Sequence, residues 1–368
     1  MTPRTPSFLY FLECKINEHP FRLPGLYQPL GAIGVGGFGA VIAAENKTTH
    51  VPVCIKKLIV TKRLSHLQSM VAELSAMKQF KHHENLLGLD DAFICPYSAS
   101  LDNIYLVTCK MDTDLYAIIN TRQLQPDQIK FIIYQVFRGV LYLHDSKVSH
   151  NDLKPANILV NADLTVKVAD FGLVLPFPAE PEAKLSYEGS AQPFDLAGTL
   201  NYLAPEIVMN SRTSGGEADC WALGLVFAEM LRGRISFYCD DWRELMKEIV
   251  FTLGAIREPE LFARDEKMVA WIKTRRPCRK VAWDYLLPDV SAEELRLVKG
   301  LLTLNPLHRI ALKDAIEDPY FAKLYRKKHR LQSNIVIEAE LPSSKPAEQQ
   351  CMLYQRKMFY DISKLHAN

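Results

Sequence analysis

The segment that decides the fold reads HNDLKPANILV at residues 150–160 and is followed by VKVADFG at residues 166–172. Two short runs within it, 158–160 and 166–168, are rich in branched apolar residues and favour strands. The residues between them include Asn161 and Asp163, which are common in tight turns. The sequence therefore predicts a loop, a strand, a turn and a second strand that ends near Asp170.

A long helix is predicted just upstream of this segment. Apolar residues recur there at three- and four-residue intervals, at Ile129, Ile133, Val136, Val140 and Leu143. Pro126 stands immediately before them, and proline suits the first turn of a helix because its missing N–H is not needed there. Helical patterns dominate the chain from this point on.

Residues 26 to 110 have a different pattern of apolar residues, with short strand-like runs. Val51, Val53 and Ile55 alternate with other residues, and residues 104–107 form a compact apolar run, so both stretches favour strands. One helix is predicted where leucine and methionine recur at helical spacing from Leu64 to Met77. The chain is therefore expected to form a small β-rich lobe followed by a larger helical lobe.

A glycine-rich stretch, GVGGFGAV at residues 34–41, lies at the start of the small lobe. Glycines permit positive φ angles and let backbone N–H groups approach a phosphate closely. A dinucleotide-binding fingerprint would begin a helix after the last glycine, whereas residues 40–44 continue as a strand. Pro52 opposes a helix after the next turn, so the pattern indicates a hairpin that covers a nucleotide.

Lys56 ends an apolar strand, where a charge needs a partner. Glu73 follows 17 residues later, inside the apolar stripe of the predicted helix. One interpretation is an ion pair that orients the lysine amine toward nucleotide phosphates. The other is two solvated surface charges, and the two residues alone leave both interpretations open.

Taken together, these segments resemble those of a protein kinase, in the order of that family and over residues 26 to 325. The resemblance implies an α+β protein with the bilobal protein kinase fold. Its small β-rich N-lobe would span about 26–110 and its larger helical C-lobe about 111–325. It favours the ion pair at Lys56 and Glu73, and the wording Lys-Pro-Ala-Asn after Asp152 is similar to serine/threonine kinases rather than tyrosine kinases.

The resemblance implies roles for the residues of the two motif segments. Asp152 is expected to be the catalytic base, and Lys154 is expected to contact the γ-phosphate. Asn157 and Asp170 are expected to hold Mg²⁺, which prefers carboxylate and amide oxygens. The implied catalytic residues are thus Asp152, Lys154 and Asn157, the metal ligands are Asn157 and Asp170, and the cofactors are ATP and Mg²⁺.

Nucleotide-binding residues are implied in the small lobe. Thr108 aligns with the gatekeeper of the family, and Cys109 to Met111 align with the hinge whose backbone reads adenine. The expected ATP-binding residues are Gly34, Val35, Gly36, Gly37, Phe38, Gly39, Val41, Lys56, Glu73, Thr108, Cys109 and Met111.

Other matches are expected to hold the fold rather than to perform chemistry. Residues 204–206 resemble the Ala-Pro-Glu motif, with Arg309 as the ion-pair partner of Glu206, and Asp219 begins the central buried helix of the family. The hydrophobic spine of the family aligns with Met77, His150 and Phe171.

Residues 111–116 resemble the segment after the hinge in mitogen-activated protein kinases, and Leu253-Gly254 resembles their inserted segment. Asn151, however, stands where the family has an arginine that grips an activation-loop phosphate, and Leu203 replaces an arginine of proline-directed kinases. Thr199 is expected to contact the catalytic aspartate rather than to be a phosphosite. The chain is identified as a divergent member of the CMGC group, and proline-directed specificity does not follow.

The predicted function is transfer of the γ-phosphate of Mg-ATP to a protein hydroxyl, in intracellular signalling, without a need for activation-loop phosphorylation. The alternative is a catalytically weak kinase-like scaffold that acts by binding partners; the complete set of ATP and metal residues disfavours it. A small-molecule phosphotransferase is disfavoured because the region around Glu206 and Asp219 resembles a protein-substrate platform. Expected partners are protein substrates and a regulatory or docking partner, and the catalytic unit is expected to be monomeric.

Composition disfavours nucleic-acid and membrane partners. The 368 residues include 44 Lys+Arg and 42 Asp+Glu, a net charge of +2. A nearly neutral chain has no general electrostatic attraction to nucleic acid or to an anionic membrane. The longest apolar stretch, residues 220–231, is interrupted by Glu229 and is too short to span a bilayer. The eight cysteines form no C-x-x-C pair, which favours free thiols in a reducing compartment and a cytoplasmic location, a nuclear one or both.

Two terminal segments lie outside the predicted domain. Residues 1–25 contain four prolines and are expected to form an extended N-terminal arm. Residues 326–368 form a C-terminal extension that opens with the basic cluster RKKHR at 326–330, interpreted as a solvated helix end, a docking surface or a nuclear signal. Five hydroxyls are candidate modification sites: Thr2, Thr5, Ser186, Tyr187 and Ser190. The alternative for each of them is an unmodified residue in a loop.

Overall fold

The computed structural model describes residues 11–16, 19–36, 39–94, 103–121, 124–177, 198–209, 215–259, 266–274, 283–326 and 346–366. The chain divides into two compact units, residues 1–111 with 337–368, and residues 112–336. The first is rich in strands and the second in helices, as the predicted α+β bilobal fold requires, and that fold class is confirmed. The predicted modification sites at 2, 5, 186, 187 and 190 lie outside the described residues, as do Gly37 and Phe38.

The small unit is built on a five-stranded antiparallel sheet in the order β3-β4-β5-β7-β6. Val53 and Ile55 are buried on it, as their alternation predicts, and Val51 is half exposed. The elements are β1 (Phe11–Ile16), β2 (His19–Pro24), β3 (Tyr27–Gly36), β4 (Gly39–Asn46), β5 (Val51–Ile59), α1 (Leu64–Phe80), β6 (Asp91–Ile94) and β7 (Asn103–Cys109).

Strands β1 and β2 correct the prediction of an extended N-terminal arm. They pair as an antiparallel hairpin, and Phe21 and Leu23 of β2 are buried in the same core as the main sheet. The Phe21 ring lies 6.2 Å from that of Tyr105, which stacks on Phe93 at 4.8 Å. Burial of this apolar area outweighs the local preference of the prolines for an unpaired arm, and a two-stranded edge tolerates proline.

The large unit contains the strand–turn–strand predicted at residues 158–168. Strands β10 and β11 pair with each other, and β8 completes the sheet in the order β11-β10-β8. The elements are β8 (Thr113–Asp114), α2 (Leu115–Thr121), α3 (Pro126–Asp145), β9 (Val148–Ser149), β10 (Ile158–Val160), β11 (Val166–Val168), β12 (Leu175–Pro176), α4 (Pro205–Val208), α5 (Glu217–Arg232), α6 (Trp242–Leu253), α7 (Glu266–Lys273), α8 (Trp283–Leu286), α9 (Ala292–Leu301) and α10 (Leu312–Ala315).

Helices α3 and α5 carry the core of this unit. Helix α3 begins at Pro126, as predicted, behind a reciprocal cap between Gln125 and Gln128. Helix α5 is buried on every side from Asp219 to Met230, which is typical of a helix surrounded by protein. Among the described residues, no helix has the length and apolar character needed to cross a membrane.

The predicted C-terminal extension contains a long helix, α11 (Ala347–Leu365), which packs on α1 and β6 of the small unit. Tyr354, Met358 and Ile362, spaced one helical turn apart, are buried. Polar contacts border this apolar stripe: Lys78 Nζ donates to the carbonyl oxygen of Asp361 at 3.4 Å, and a ring nitrogen of His366 lies 2.8 Å from the carbonyl oxygen of Ala92. Helix α11 is therefore part of the small unit.

Removal of a buried side chain from α11 should destabilise the protein. Met358 has no exposed surface, so Met358→Ala should lower the free energy of unfolding by about 2–5 kcal/mol. Met352 lies on the same helix with 51% of its surface exposed, and Met352→Ala should change that free energy by no more than about 0.5 kcal/mol. Urea unfolding of both variants checks the packing of α11, and equal midpoints would contradict it.

Candidate active site

One buried carboxylate holds the loop of residues 150–157, called the catalytic loop below. Asp219, at the start of α5, accepts the backbone N–H groups of His150 at 2.8 Å and of Asn151 at 2.9 Å. His144 Nε2 lies 2.8 Å from the same carboxylate. Burial by itself raises the pKa of Asp219, but the contacts with His144 and His150 outweigh it, so the pKa is lowered and the group stays ionised.

Asn151 occupies a backbone conformation that few side chains adopt. Its φ is +65°, in the left-handed region, where asparagine is tolerated better than most residues. Its Nδ2 donates to Ser149 Oγ and to the carbonyl oxygen of Leu173, each at 2.9 Å. Since Leu173 directly follows the Asp-Phe-Gly motif, Asn151 joins the catalytic loop to the segment that leaves this motif.

The same segment is bound to the strand before the catalytic loop. Strand β12 pairs with β9, with Leu175 opposite Ser149, and Ser149 Oγ donates to the carbonyl oxygen of Leu175 at 3.2 Å. The N–H of Phe177 donates to the carbonyl oxygen of Lys147 at 2.7 Å. Residues 173–177 therefore run along residues 147–151.

Asp152 lies at the centre of a hydrogen-bonded set. Its Oδ1 accepts the backbone N–H of Thr199 at 3.0 Å and the Thr199 hydroxyl at 2.8 Å. Its Oδ2 accepts Lys154 Nζ at 2.8 Å and Asn157 Nδ2 at 3.0 Å. The predicted contact of Thr199 with Asp152 is confirmed, and the three residues predicted to be catalytic lie together.

The two predicted metal ligands are brought close by the strand pair. The N–H of Ala169, next to Asp170, donates to the carbonyl oxygen of Asn157 at 2.9 Å. Asn157 Nδ2 is used by Asp152, so the amide Oδ1 is the side-chain atom suited to a cation. No cluster of three or more His, Cys, Asp or Glu ligands occurs within the described ranges. One carboxylate and one amide fit Mg²⁺, which completes its shell with water and phosphate oxygens.

The predicted spine residues are buried in their respective units. Met77 lies in the small unit at 4% exposure, and His150 and Phe171 of the large unit are fully buried. The rings of His150 and Phe171 are 5.6 Å apart, and His150 Nε2 lies 3.1 Å from the carbonyl oxygen of Ala169. Packing of this kind fixes the position of the Asp-Phe-Gly motif next to the catalytic loop.

In the small unit, Lys56 and Glu73 form the predicted ion pair. Lys56 Nζ donates to Glu73 Oε1 at 2.6 Å. The Glu73 side chain is 7% exposed and the Lys56 side chain 30% exposed, so the alternative of two solvated charges is excluded. A buried carboxylate needs such a partner, and the pair fixes the direction of the lysine amine.

The glycine-rich stretch is a hairpin between β3 and β4, as predicted. Gly34, Val35 and Gly36 end β3, Gly39 begins β4, and Val41 pairs with Lys56 on β5. A Cβ at Gly39 would lie 1.8 Å from the carbonyl oxygen of Lys57, so only glycine fits there. A Cβ at Gly34 would meet no atom within 4 Å, so packing does not require glycine at that position.

Thr108, Cys109 and Met111 lie at the end of β7 and just beyond it. Thr108 is 6% exposed and pairs with Cys54 on β5. Burial raises the pKa of the Cys54 thiol, against the lowering effects of Lys110 and the Met111 backbone N–H. All cysteines within the described ranges are free thiols: Cys14, Cys54, Cys109, Cys220, Cys239 and Cys351.

The predicted ion pair between Glu206 and Arg309 is present and buried. Arg309 Nη2 donates to Glu206 Oε2 at 2.8 Å, and Nη1 donates to the other oxygen. The same guanidinium also donates to the carbonyl oxygens of Glu217 and Thr303. One arginine thus joins the Ala-Pro-Glu motif to the start of α5.

Comparison with known proteins shows which proteins this chain is similar to. The protein kinase domain family model matches residues 27–321. Mitogen-activated protein kinase 5 of Oryza sativa subsp. indica is 31% identical over 320 residues, which cover 86% of this chain and 84% of the relative. The mitogen-activated protein kinase mpk-1 of Caenorhabditis elegans is 30% identical over 312 residues, 84% of this chain and 69% of the relative. Mitogen-activated protein kinase 2 of Arabidopsis thaliana is 31% identical over 309 residues, 83% and 79% respectively.

Loss of Arg309 should destabilise the large unit far more than loss of an exposed arginine. Arg309→Met leaves Glu206 buried without a counter-charge and should lower the free energy of unfolding by about 3–5 kcal/mol. Arg296 also binds a carboxylate, that of Asp318, through two nitrogens, but its side chain is 53% exposed. Arg296→Met should cost about 0–1 kcal/mol. Urea unfolding of both variants checks this, and similar losses would contradict it.

Proposed function

The chain belongs to the protein kinase family, and we propose that it transfers the γ-phosphoryl group of ATP, held with Mg²⁺, to serine or threonine hydroxyls of proteins. The matches confirm the predicted resemblance: it is a serine/threonine protein kinase of the CMGC group, similar to mitogen-activated protein kinases, and acts in signalling. Family membership implies ATP, a divalent metal and protein substrates. The proposal includes a monomeric catalytic unit. It also includes a location in the cytoplasm, the nucleus or both.

The observation that carries the proposal is the set of hydrogen bonds around Asp152. Both carboxylate oxygens are oriented, Oδ1 by Thr199 and Oδ2 by Lys154 and Asn157. A carboxylate held in this way can orient a substrate hydroxyl and accept its proton as the oxygen attacks phosphorus. Lys154 Nζ, 2.8 Å from Asp152 Oδ2, would contact the γ-phosphate.

The remaining site residues suit a nucleotide and its metal. When bound, Mg-ATP supplies the transferred phosphoryl group, and the metal neutralises the charge on its oxygens. Asn157 Oδ1 and the Asp170 carboxylate would hold the metal, and the Lys56 amine, oriented by Glu73, would bind the α- and β-phosphates. The hinge at Cys109 to Met111 would bind adenine through its backbone.

Replacement of Asp152 tests the proposed reaction. Asp152→Asn keeps the size of the side chain but removes the proton acceptor, so the turnover number should fall by about two to three orders of magnitude. Radiolabelled phosphate transfer from ATP to a generic basic protein measures it, with thermal unfolding as a check that the variant is folded. Equal labelling by the variant and the wild type would mean that the chain acts through binding alone.

Asn151 supports a second part of the proposal, that the kinase is active without phosphate on its activation segment. Where the resemblance predicts an arginine that needs a phosphate, this chain has a neutral amide. That amide already binds the carbonyl oxygen of Leu173. The position of the segment after Asp170 therefore depends on a neutral hydrogen bond, which is present whether or not the segment is phosphorylated.

Two substitutions at Asn151 separate its backbone conformation from its hydrogen bonds. Asn151→Gly retains easy access to the positive φ but loses the amide, so two hydrogen bonds disappear and the turnover number should fall about 5- to 30-fold. Asn151→Ala adds backbone strain and should also lower the thermal midpoint. Full turnover in Asn151→Gly would show that only the backbone conformation matters. The assay is the same phosphate transfer at saturating ATP.

A further inference from the structure

One side chain of α3 binds the backbone on both sides of Thr165, at the start of the strand that leads to Asp170. Gln135 Nε2 donates to the carbonyl oxygen of Leu164 at 2.8 Å, and Gln135 Oε1 accepts the backbone N–H of Val166 at 3.1 Å. Gln135 is 6% exposed, and a buried amide is costly unless it is hydrogen-bonded. Its amide thus binds the backbone in the way that a neighbouring strand does.

Strand β11 lies at the end of its sheet. Within the part of the chain that the structure describes, the sheet has the order β11-β10-β8, so β10 is the one strand beside β11. Helix α3 packs against β11, and the N–H of Val166 donates to Gln135 of that helix rather than to β10. Gln135 therefore binds the first residue of β11 at a place where no further strand lies.

The backbone on each side of β11 is in an unfavourable conformation. Leu164, before the strand, and Asp170, after it, both have a φ of +66°. Residues other than glycine remain at such angles only where their surroundings hold them. The surroundings here include Gln135, which binds the Leu164 carbonyl oxygen, and Asn157, whose carbonyl oxygen accepts the N–H of Ala169. Removal of Gln135 would leave β11 anchored mainly at its far end.

We propose that Gln135 is a positioning residue for the metal: it holds β11 in register with β10 and so keeps the Asp170 carboxylate next to Asn157. The inference rests on the proposed function, in which Asp170 and Asn157 hold Mg²⁺. Gln135 acts through the backbone and does not touch the metal. Mg²⁺ demands a nearly ideal octahedral geometry, and groups that orient metal ligands from outside the first shell commonly change metal affinity about 10- to 100-fold.

The test measures ADP binding to the full chain by isothermal titration calorimetry at a series of Mg²⁺ concentrations, so it needs no phosphate transfer. Gln135→Leu removes both hydrogen bonds, and the half-saturating Mg²⁺ concentration should rise at least about fivefold. ADP affinity without metal should change less than about twofold. Gln135→Glu keeps an acceptor for Val166 but loses the donor to Leu164, so it should give a rise of at least about twofold. This second variant decides the test if Gln135→Leu does not fold.

Gln128 provides a matched control, because it is a glutamine on the same helix. Its Oε1 accepts the backbone N–H of Gln125 at 3.0 Å, in the cap at the start of α3. Gln128→Leu should lower the thermal midpoint through loss of this cap, while the half-saturating Mg²⁺ concentration stays within about twofold of the wild-type value. An equal rise in Gln128→Leu and Gln135→Leu would overturn the inference, since general destabilisation would then be the cause.

Hydrogen exchange and a variant of the metal ligand complete the test. Backbone amides of residues 164–170 should exchange faster in Gln135→Leu, while those of α5 exchange as in the wild type. Unchanged exchange there, or an unchanged half-saturating Mg²⁺ concentration in both Gln135 variants, would overturn the inference. Asp170→Asn should raise that concentration at least as much as Gln135→Leu. If Asp170→Asn has no effect, the proposed metal site is wrong and this inference falls with it; if only the Gln135 variants have none, the proposed function stands without it.

Discussion

The buried carboxylate of Asp219 is the interaction on which the geometry of the catalytic loop depends. With 1% of its surface exposed, it would be very unfavourable as an isolated charge. It is stable only because two backbone N–H groups of the loop and a ring nitrogen of His144 point at it. The same contacts fix the backbone at His150 and Asn151, and so place Asp152. The requirement to satisfy one buried charge thus positions the proposed base.

Two other buried charges act in the same way elsewhere in the chain. Helix α1 presents Glu73 to Lys56, and the ion pair at 2.6 Å fixes the direction of the lysine amine. Glu206 is satisfied only by Arg309, which ties the Ala-Pro-Glu motif to α5. Breaking a buried pair costs about 3–5 kcal/mol, which is a large part of the stability of an ordinary domain. The direction of the Lys56 amine and the position of the Ala-Pro-Glu motif are therefore each fixed by an ion pair that is costly to break.

Much of the site could be predicted from the sequence because its residues lie in short local patterns. The spacing around Asp152 and Asp170 indicated a loop and two strands, and the apolar stripe around Glu73 indicated its helix. The hairpin at residues 11–24 and helix α11 could not be predicted in their packed form. Phe21 and Met358 are buried by residues far away in the sequence, and local propensity carries no information on such contacts. The hydrogen bond from the Asn151 side chain to Leu173 likewise depends on the positive φ of Asn151, which the sequence pattern does not reveal.

We propose that the Asn151 amide holds residues 173–177 through Leu173 and that the kinase therefore needs no phosphate on its activation segment. The most direct measurement is the initial rate of phosphate transfer by purified full-length protein before and after treatment with a broad-specificity phosphatase, with mass spectrometry to confirm removal of phosphate. The rate should be the same within about twofold before and after treatment, since the hydrogen bond from Asn151 to Leu173 is independent of phosphate. Loss of activity on dephosphorylation, restored by rephosphorylation within residues 178–197, would contradict it.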